Sequence, residues 1–333
     1  MMRARIWRSP LMAIGAVAGL LVAGCSGGGS GSGSSGPLER TKLVVAAVPA
    51  TDSAGLYIAQ ERGMFAAAGL QVQIKPANSS ADVINAQEHG LIDISSGAYP
   101  SYIAADAKGA NFRVLVSGST MGPATQEIMV APNSPINTVA QLKGKTIAIN
   151  APNNIGTVLV YSLLNDNAVN WRPTAPAAEQ VHLVAMPFPK MARALQDGQV
   201  DAAWMPEPFI TEDEEQIGAQ PLADTDQGAA ESLPIAGYVV TQSWLDKYPH
   251  TAAVFRSVME KAQAIAAQNQ SEVQRAMSRY AGVGPLSSNI LATTSFPTTT
   301  TAAPLQRVVS LMVQFDLLTQ TYNVANVIAK IPK

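Results

Sequence analysis

Three histidines, His89, His182 and His250, stand far apart in the chain. None belongs to an H-E-x-x-H pair that would set two imidazoles on one helix face for zinc. The literal match to the nucleophile-elbow pattern G-x-S-x-G spans 24–28. It falls in a glycine–serine run with no strand before it and no helix after it, and no S-x-x-K occurs. "DTDQG" at 224–228 opens like a calcium loop but lacks the third acidic or amide position and the later glutamate. The run Thr211-Glu212-Asp213-Glu214-Glu215 reads as a solvated acidic helix face. No catalytic residue, metal or cofactor is therefore expected. What the chain offers is side chains that hold a ligand without reacting with it: hydroxyls, amides, aromatic faces and two well-placed carboxylates, Asp52 and Glu207.

The elements that must position these groups alternate. "KLVVAAV" at 42–48 is a short valine-rich run and predicts a buried strand. Residues 55–69 read as helix, bent or ended at Gly63, and "LQVQI" at 70–74 as a strand. A helix is expected over 80–90, with serine in front and glycine behind, then a strand at 91–97 and a helix at 99–109. Strands follow at 112–118 and 127–131. The alternation then restarts, with strands within 139–150, at 181–186, within 189–205 and within 208–224, and a helix at 155–167. From 251 onward the pattern is mostly helical, with apolar stripes at 252–268 and 305–320 that read as core packing. Strand–helix alternation implies α/β sheets that are largely parallel.

The N-terminus has a different character. Arg3, Arg5 and Arg8 precede an apolar run that is shorter than the roughly 20 residues of a spanning helix, which is the layout of an export signal. The "VAGC" ending resembles the lipobox of bacterial lipoproteins, in which the cysteine becomes the lipid-bearing N-terminus. Residues 1–24 are thus expected to be a signal peptide, and 25–40 a lipidated Cys25 with a glycine–serine tether of roughly 20 Å reach. Cys25 is the sole cysteine, so no intramolecular disulfide can form. The remaining stretch of about 290 residues is long enough for a core that needs none. The formal charge of −2 becomes about −5 without the signal arginines, and no basic patch points to nucleic acid. A body on the extracytoplasmic face of the bacterial cell membrane follows.

"ATDSAGLYIAQERGMFAAAGLQVQI" after a first strand resembles the opening of solute-binding proteins of ABC importers. The resemblance is to the nitrate, sulfonate, taurine and thiamine-precursor branch. It is carried by Tyr57, Glu61, Gly63, Phe65, Gly69, Leu70 and Val72. "NSSADVINAQEHGLIDISSGAYPSYI", "LKGKTIAINAPNNIGTVLVYSLL" and "ALQDGQVDAAWMPEPF" extend it over nearly all of 41–333. The resemblance implies the type II periplasmic-binding fold: two α/β lobes, 41–131 plus 233–333 and 132–232, joined by two hinge crossings with the ligand cleft between them. It further implies a monomer that captures a small solute, a sulfonate- or nitrate-like oxyanion or a thiamine-precursor-like heterocycle, by hinge closure. An ABC permease and its ATPase are the implied partners. A thiamine-pyrimidine-synthesis enzyme on the same fold and a non-transport surface lipoprotein are the alternatives. The former carries a cysteine-rich motif absent here.

In open α/β sheets ligands collect beyond the carboxyl ends of strands. That rule selects five loops. They carry Thr51 and Asp52; Ser79 and Ser80; Ala98 and Tyr99; Asn150, Asn153, Asn154 and Thr157; and Trp204 and Glu207. Gln126 and Tyr238 lie near the expected crossings. On sequence alone, Ser79 and Ser80 serve equally as helix caps, and Asn153 and Asn154 equally as turn residues. Tyr57, Tyr99 and Trp204 serve equally as stacking faces or core. Glu207, between two prolines, either faces the cleft or plays a structural part. If both carboxylates face the cleft, an amine or hydrogen-bonding heterocycle suits it better than a sulfonate.

Overall fold

A computed structural model describes residues 36–331, so the signal, Cys25 and most of the tether lie outside the described residues. The valine-rich run becomes β1 (Lys42–Ala47), with Leu43 and Val45 in the core. It pairs in parallel with β2 (Gln71–Pro76) on one side and β3 (Ile94–Ala98) on the other. Beyond β3 come β10 (Pro234–Thr241) and then β4 (Phe112–Thr120), closing a sheet of order β2-β1-β3-β10-β4. The second sheet has the order β7-β6-β8-β5-β9, from β7 (His182–Ala185), β6 (Thr146–Ile149), β8 (Ala202–Pro206), β5 (Gln126–Val130) and β9 (Gln220–Asp224).

Both sheets are mixed rather than largely parallel, and the exceptions share one cause. The chain crosses between the sheets twice, from β4 to β5 and from β9 to β10. Each arriving strand inserts between two others and runs against both: β5 between β8 and β9, β10 between β3 and β4. A strand at 234–241 was not expected from the sequence. Its Pro234 and central Gly237 weaken the local signal, yet seven of its eight residues are buried. The expected boundary after residue 131 would leave β5 with the first sheet. Its ladder with β8 puts it in the second, so the sheet changes between Thr120 and Gln126.

The helices stand where the punctuation predicts. Gly63, at φ 65°, separates α1 (Ala54–Glu61) from α2 (Met64–Ala67), a left-handed position that suits glycine. Ser79 caps α3 (Ser80–Glu88), its Oγ accepting the Asp82 N–H at 3.3 Å. The helix α4 (Tyr99–Asp106) follows β3 without a gap, and Asn154 caps α5 (Ile155–Asp166). The short α6 (Met191–Gln196) precedes β8, and α7 (Phe209–Ile217) follows it. The C-terminal third supplies α8 (Gln242–Lys247), α9 (Pro249–Gln268), α10 (Gln270–Tyr280), α11 (Pro285–Ser288) and α12 (Ala302–Gln314).

Two of these helices bury the expected stripes. Phe255 of α9 stacks on Phe65 over the first sheet, centroids 5.5 Å apart. Leu305, Val308 and Met312 of α12 join a core that runs from Tyr99 and Phe112 to Ile128 and Ile147, so the sheets share apolar packing. Each such side chain is worth about 1.5–3 kcal/mol on full burial. Among the described residues no helix is long and apolar enough to cross a membrane.

Candidate functional site

Strand-end loops of both sheets converge on one cavity of about 40 Å³. The first sheet contributes Asp52 and Ser53 beyond β1, Ser80 at the start of α3, and Ser96, Gly97 and Ala98 at the end of β3. The strand β10 adds Ile235 and Ala236. The second sheet contributes Gln126 at the start of β5, Asn150 and Asn154 beyond β6, and Phe188, Trp204 and Pro206. The wall is therefore hydroxyls, amides, aliphatic side chains, two aromatic rings and a single titratable group, Asp52. Among the described residues no lysine, arginine or histidine lines it.

Asp52 is buried, and burial raises its carboxyl to about 6 although Ser119 and Gln126 hydrogen bonds favour the ionised form. Ser119 Oγ donates to Oδ1 at 2.6 Å and Gln126 Nε2 approaches Oδ2 at 3.4 Å. Ser53 and Ser96 hydroxyls meet at 3.0 Å, and Ser80 Oγ accepts the Ala98 N–H at 2.7 Å. Two buried polar atoms of lining residues, Gln126 Oε1 and Trp204 Nε1, have no hydrogen-bond partner among the described residues. Trp204 and Phe188 stand 5.8 Å apart at 52°, so they form an angled wall rather than a slot for a ring between them. Gly156 makes room for the indole: a Cβ there would lie 2.5 Å from Trp204 Cε3.

Of the residues selected from sequence, Asp52, Ser80, Ala98, Gln126, Asn150, Asn154 and Trp204 line the cavity. Eight do not. The backbone N–H of Thr51 donates to the Glu207 carbonyl at 3.0 Å, tying two loops together behind the wall. Tyr57 stacks on Tyr280 at 5.0 Å within an apolar cluster. Ser79 is a helix cap. The Tyr99 ring lies on Gly237, where a Cβ would come within 2.7 Å of it. Asn153 sits at φ 54° in an exposed turn, and Thr157 is buried in α5. Tyr238 is fully buried beneath Phe255.

Glu207 turns away from the cavity. Its carboxylate accepts the Thr211 N–H at 3.2 Å, the Thr211 hydroxyl at 2.9 Å and the Ala292 N–H at 3.2 Å. Burial, more than its hydrogen bonds can offset, lifts it to about 7. The sequence reading did not single out Ser96, Phe188, Ile235 or Ala236. Ser96 sits inside a strand, Phe188 follows a short one, and the last two lie on the strand that lacked a signal.

Two mixed α/β sheets, exchanged twice by the chain and enclosing a cavity between their strand ends, define the periplasmic-binding-protein fold. The chain superimposes on the periplasmic aliphatic sulphonate binding protein SsuA from Escherichia coli with a TM-score of 0.67 at 19% identity, covering 88% of this chain and 94% of that one. The periplasmic nitrate-binding protein NrtA from Synechocystis PCC 6803 gives a TM-score of 0.69 at 16% identity, covering 84% and 83%. The Candida albicans CA3427 gene product, described as having the generic periplasmic binding protein fold, gives 0.69 at 16%, covering 87% and 96%. No curated protein matches by sequence. Residues 50–273 match the family model described as NMT1/THI5 like, and the chain belongs to that family.

Proposed function

We propose that this protein is the substrate-binding component of an ABC importer, and that its solute occupies the cavity between the two sheets. The observation that carries the reading is the wall itself. Side chains of both sheets face one cavity, so a solute there touches both halves only when they are together. That differential contact is what shifts a hinged pair toward its closed form. The lobes then correspond to the two sheets with their helices, and the segments 121–125 and 225–233 are the hinge crossings. Hydroxyls, amides and one carboxylate serve retention of a solute. The sulphonate and nitrate binders of the same fold favour this reading over an enzyme of the pyrimidine-synthesis type or a passive surface lipoprotein.

In this reading the signal is removed, Cys25 carries lipid, and the tether keeps the body near the permease on the extracytoplasmic face. Deleting the gene alone should abolish high-affinity uptake of a solute shown to bind the purified protein. Undiminished uptake overturns the receptor role. Labelled palmitate should enter the wild type and not Cys25→Ala, and an unlabelled wild type overturns the anchor alone.

A further inference from the structure

Asp52 sets the orientation of the Gln126 amide. An ionised carboxylate only accepts, so the amide must turn its N–H₂ toward Asp52 Oδ2, 3.4 Å away. The amide oxygen is left buried and unpartnered among the described residues. Trp204, in the same cavity wall, has the opposite deficit, since its buried indole N–H donates to no described residue. Buried polar atoms are almost always paired, so two orphans of opposite sense on side chains that line one cavity point to what should meet them. One end asks for a donor, beside a carboxylate that no cation in the wall offsets. The other asks for an acceptor.

Resting on the receptor reading, we propose that the cavity selects a small nitrogenous solute presenting N–H donors to Asp52 and Gln126 and a hydrogen-bond acceptor to Trp204. A bare oxyanion fits poorly. Nitrate or an alkanesulfonate carries acceptors only. It would satisfy Trp204, leave Gln126 Oε1 facing another acceptor, and bring negative charge toward Asp52 with no lysine, arginine or histidine among the described lining residues to offset it. Sites built on buried polar groups discriminate strongly against a ligand lacking the partner atom. The serine hydroxyls at 53, 80 and 96 can each turn to donate or accept, so they hold either kind of ligand and do not decide between them. The angled Phe188–Trp204 wall accommodates an apolar edge or ring face.

Thermal shift and titration calorimetry on the purified protein near pH 7.5 test this with four probes. Cytosine and glycinamide each carry N–H donors and a carbonyl acceptor, whereas nitrate and ethanesulfonate carry acceptors only. At least one of the first pair should raise Tm by about 2–5 °C at a hundredfold excess over its Kd, while the second pair should not. Asp52→Asn and Trp204→Phe should each weaken the active probe at least tenfold. Trp204→Phe keeps an aromatic face while removing the donor and part of the ring volume, so it serves even if Asp52→Asn fails to fold. Binding of the oxyanions alone, or binding of the nitrogenous probes unchanged by both substitutions, overturns the inference and leaves the receptor reading standing. Inertness to all four also overturns it, and the uptake experiment then decides the receptor role by itself.

Discussion

At the scale of single residues, the buried carboxylates decide how the protein responds to pH. Glu207 lies in the folded state near pKa 7, against a carboxylate's ordinary 4.5, because burial penalises its charge. Glu127, beside Asp224, Glu214 and Glu207, and Asp213 are likewise raised to about 7, chiefly by burial. A carboxyl raised on folding binds its proton more tightly in the native state. Its stabilising contribution is complete below the unfolded value and is lost as pH climbs through 7. For Glu207 the loss is about 3 kcal/mol between pH 4.5 and pH 8. Glu39 and Glu272, lowered to about 2 by hydrogen bonds and ion pairs, act oppositely, but only below about pH 4.5. The urea midpoint should therefore peak near pH 5 and fall toward pH 8. Glu207→Gln should flatten that fall, and a midpoint rising from pH 5 to pH 8 would contradict the assignment.

At the scale of elements, the first turn of α5 and the end of β8 are built around one absent side chain. Gly156 has no Cβ, and the Trp204 ring fills the space where one would stand, with three ring atoms between 2.5 and 3.1 Å of it. Gly156→Ala gains about 1 kcal/mol of helix propensity. Overpacking against a fully buried indole costs about 1–3 kcal/mol. The net effect should be a lower denaturation midpoint and weaker solute binding, because the ring that must yield is part of the cavity wall. A more stable variant with unchanged binding would show that α5 and β8 separate freely. Neighbouring Asn154 joins elements in another way. Its Oδ1 caps α5 at 2.7 Å from the Ile155 N–H and also accepts the Ser101 hydroxyl of α4 at 3.2 Å.

At the scale of the whole molecule, the two sheets meet through a few polar contacts around the cavity. Ser101 reaches Asn154, Asn150 Nδ2 donates to the Asn78 carbonyl at 3.2 Å, and Ser287 of α11 donates to Glu215 of α7 at 2.6 Å. All three join a residue packed with the first sheet to one packed with the second. Each is worth about 0.5–1.5 kcal/mol. If the halves open for solute exchange, these bonds hold the closed form, and Ser101 and Ser287 do so from outside the cavity wall. Combining Ser101→Ala with Ser287→Ala should then speed solute release and raise Kd roughly 5- to 100-fold. The radius of gyration without solute should increase. Unchanged release would place the closing free energy in the apolar core that the sheets share through α12.

The sequence by itself determined the local grammar: where helices begin and end, which runs form strands, and that the strand-end loops carry the cavity's polar groups. Ser79 as a cap, Gly63 as a break, and Asp52, Ser80, Asn150 and Asn154 in strand-end loops were legible because caps, turns and strand ends depend on residues within a few positions. Only the tertiary structure decided what depends on distant partners. Strand β10 holds its place through ladders to β3 and β4, more than a hundred residues away, and its own Pro234 and Gly237 argue locally against it. Glu207 and Asp52 looked alike as carboxylates in loops. One turned to meet Thr211 and Ala292, while the other stayed in the cavity with Ser119 and Gln126. Burial and hydrogen bonding are properties of a place in space. Two carboxylates acquire different chemistry only once the chain has brought their neighbours to them.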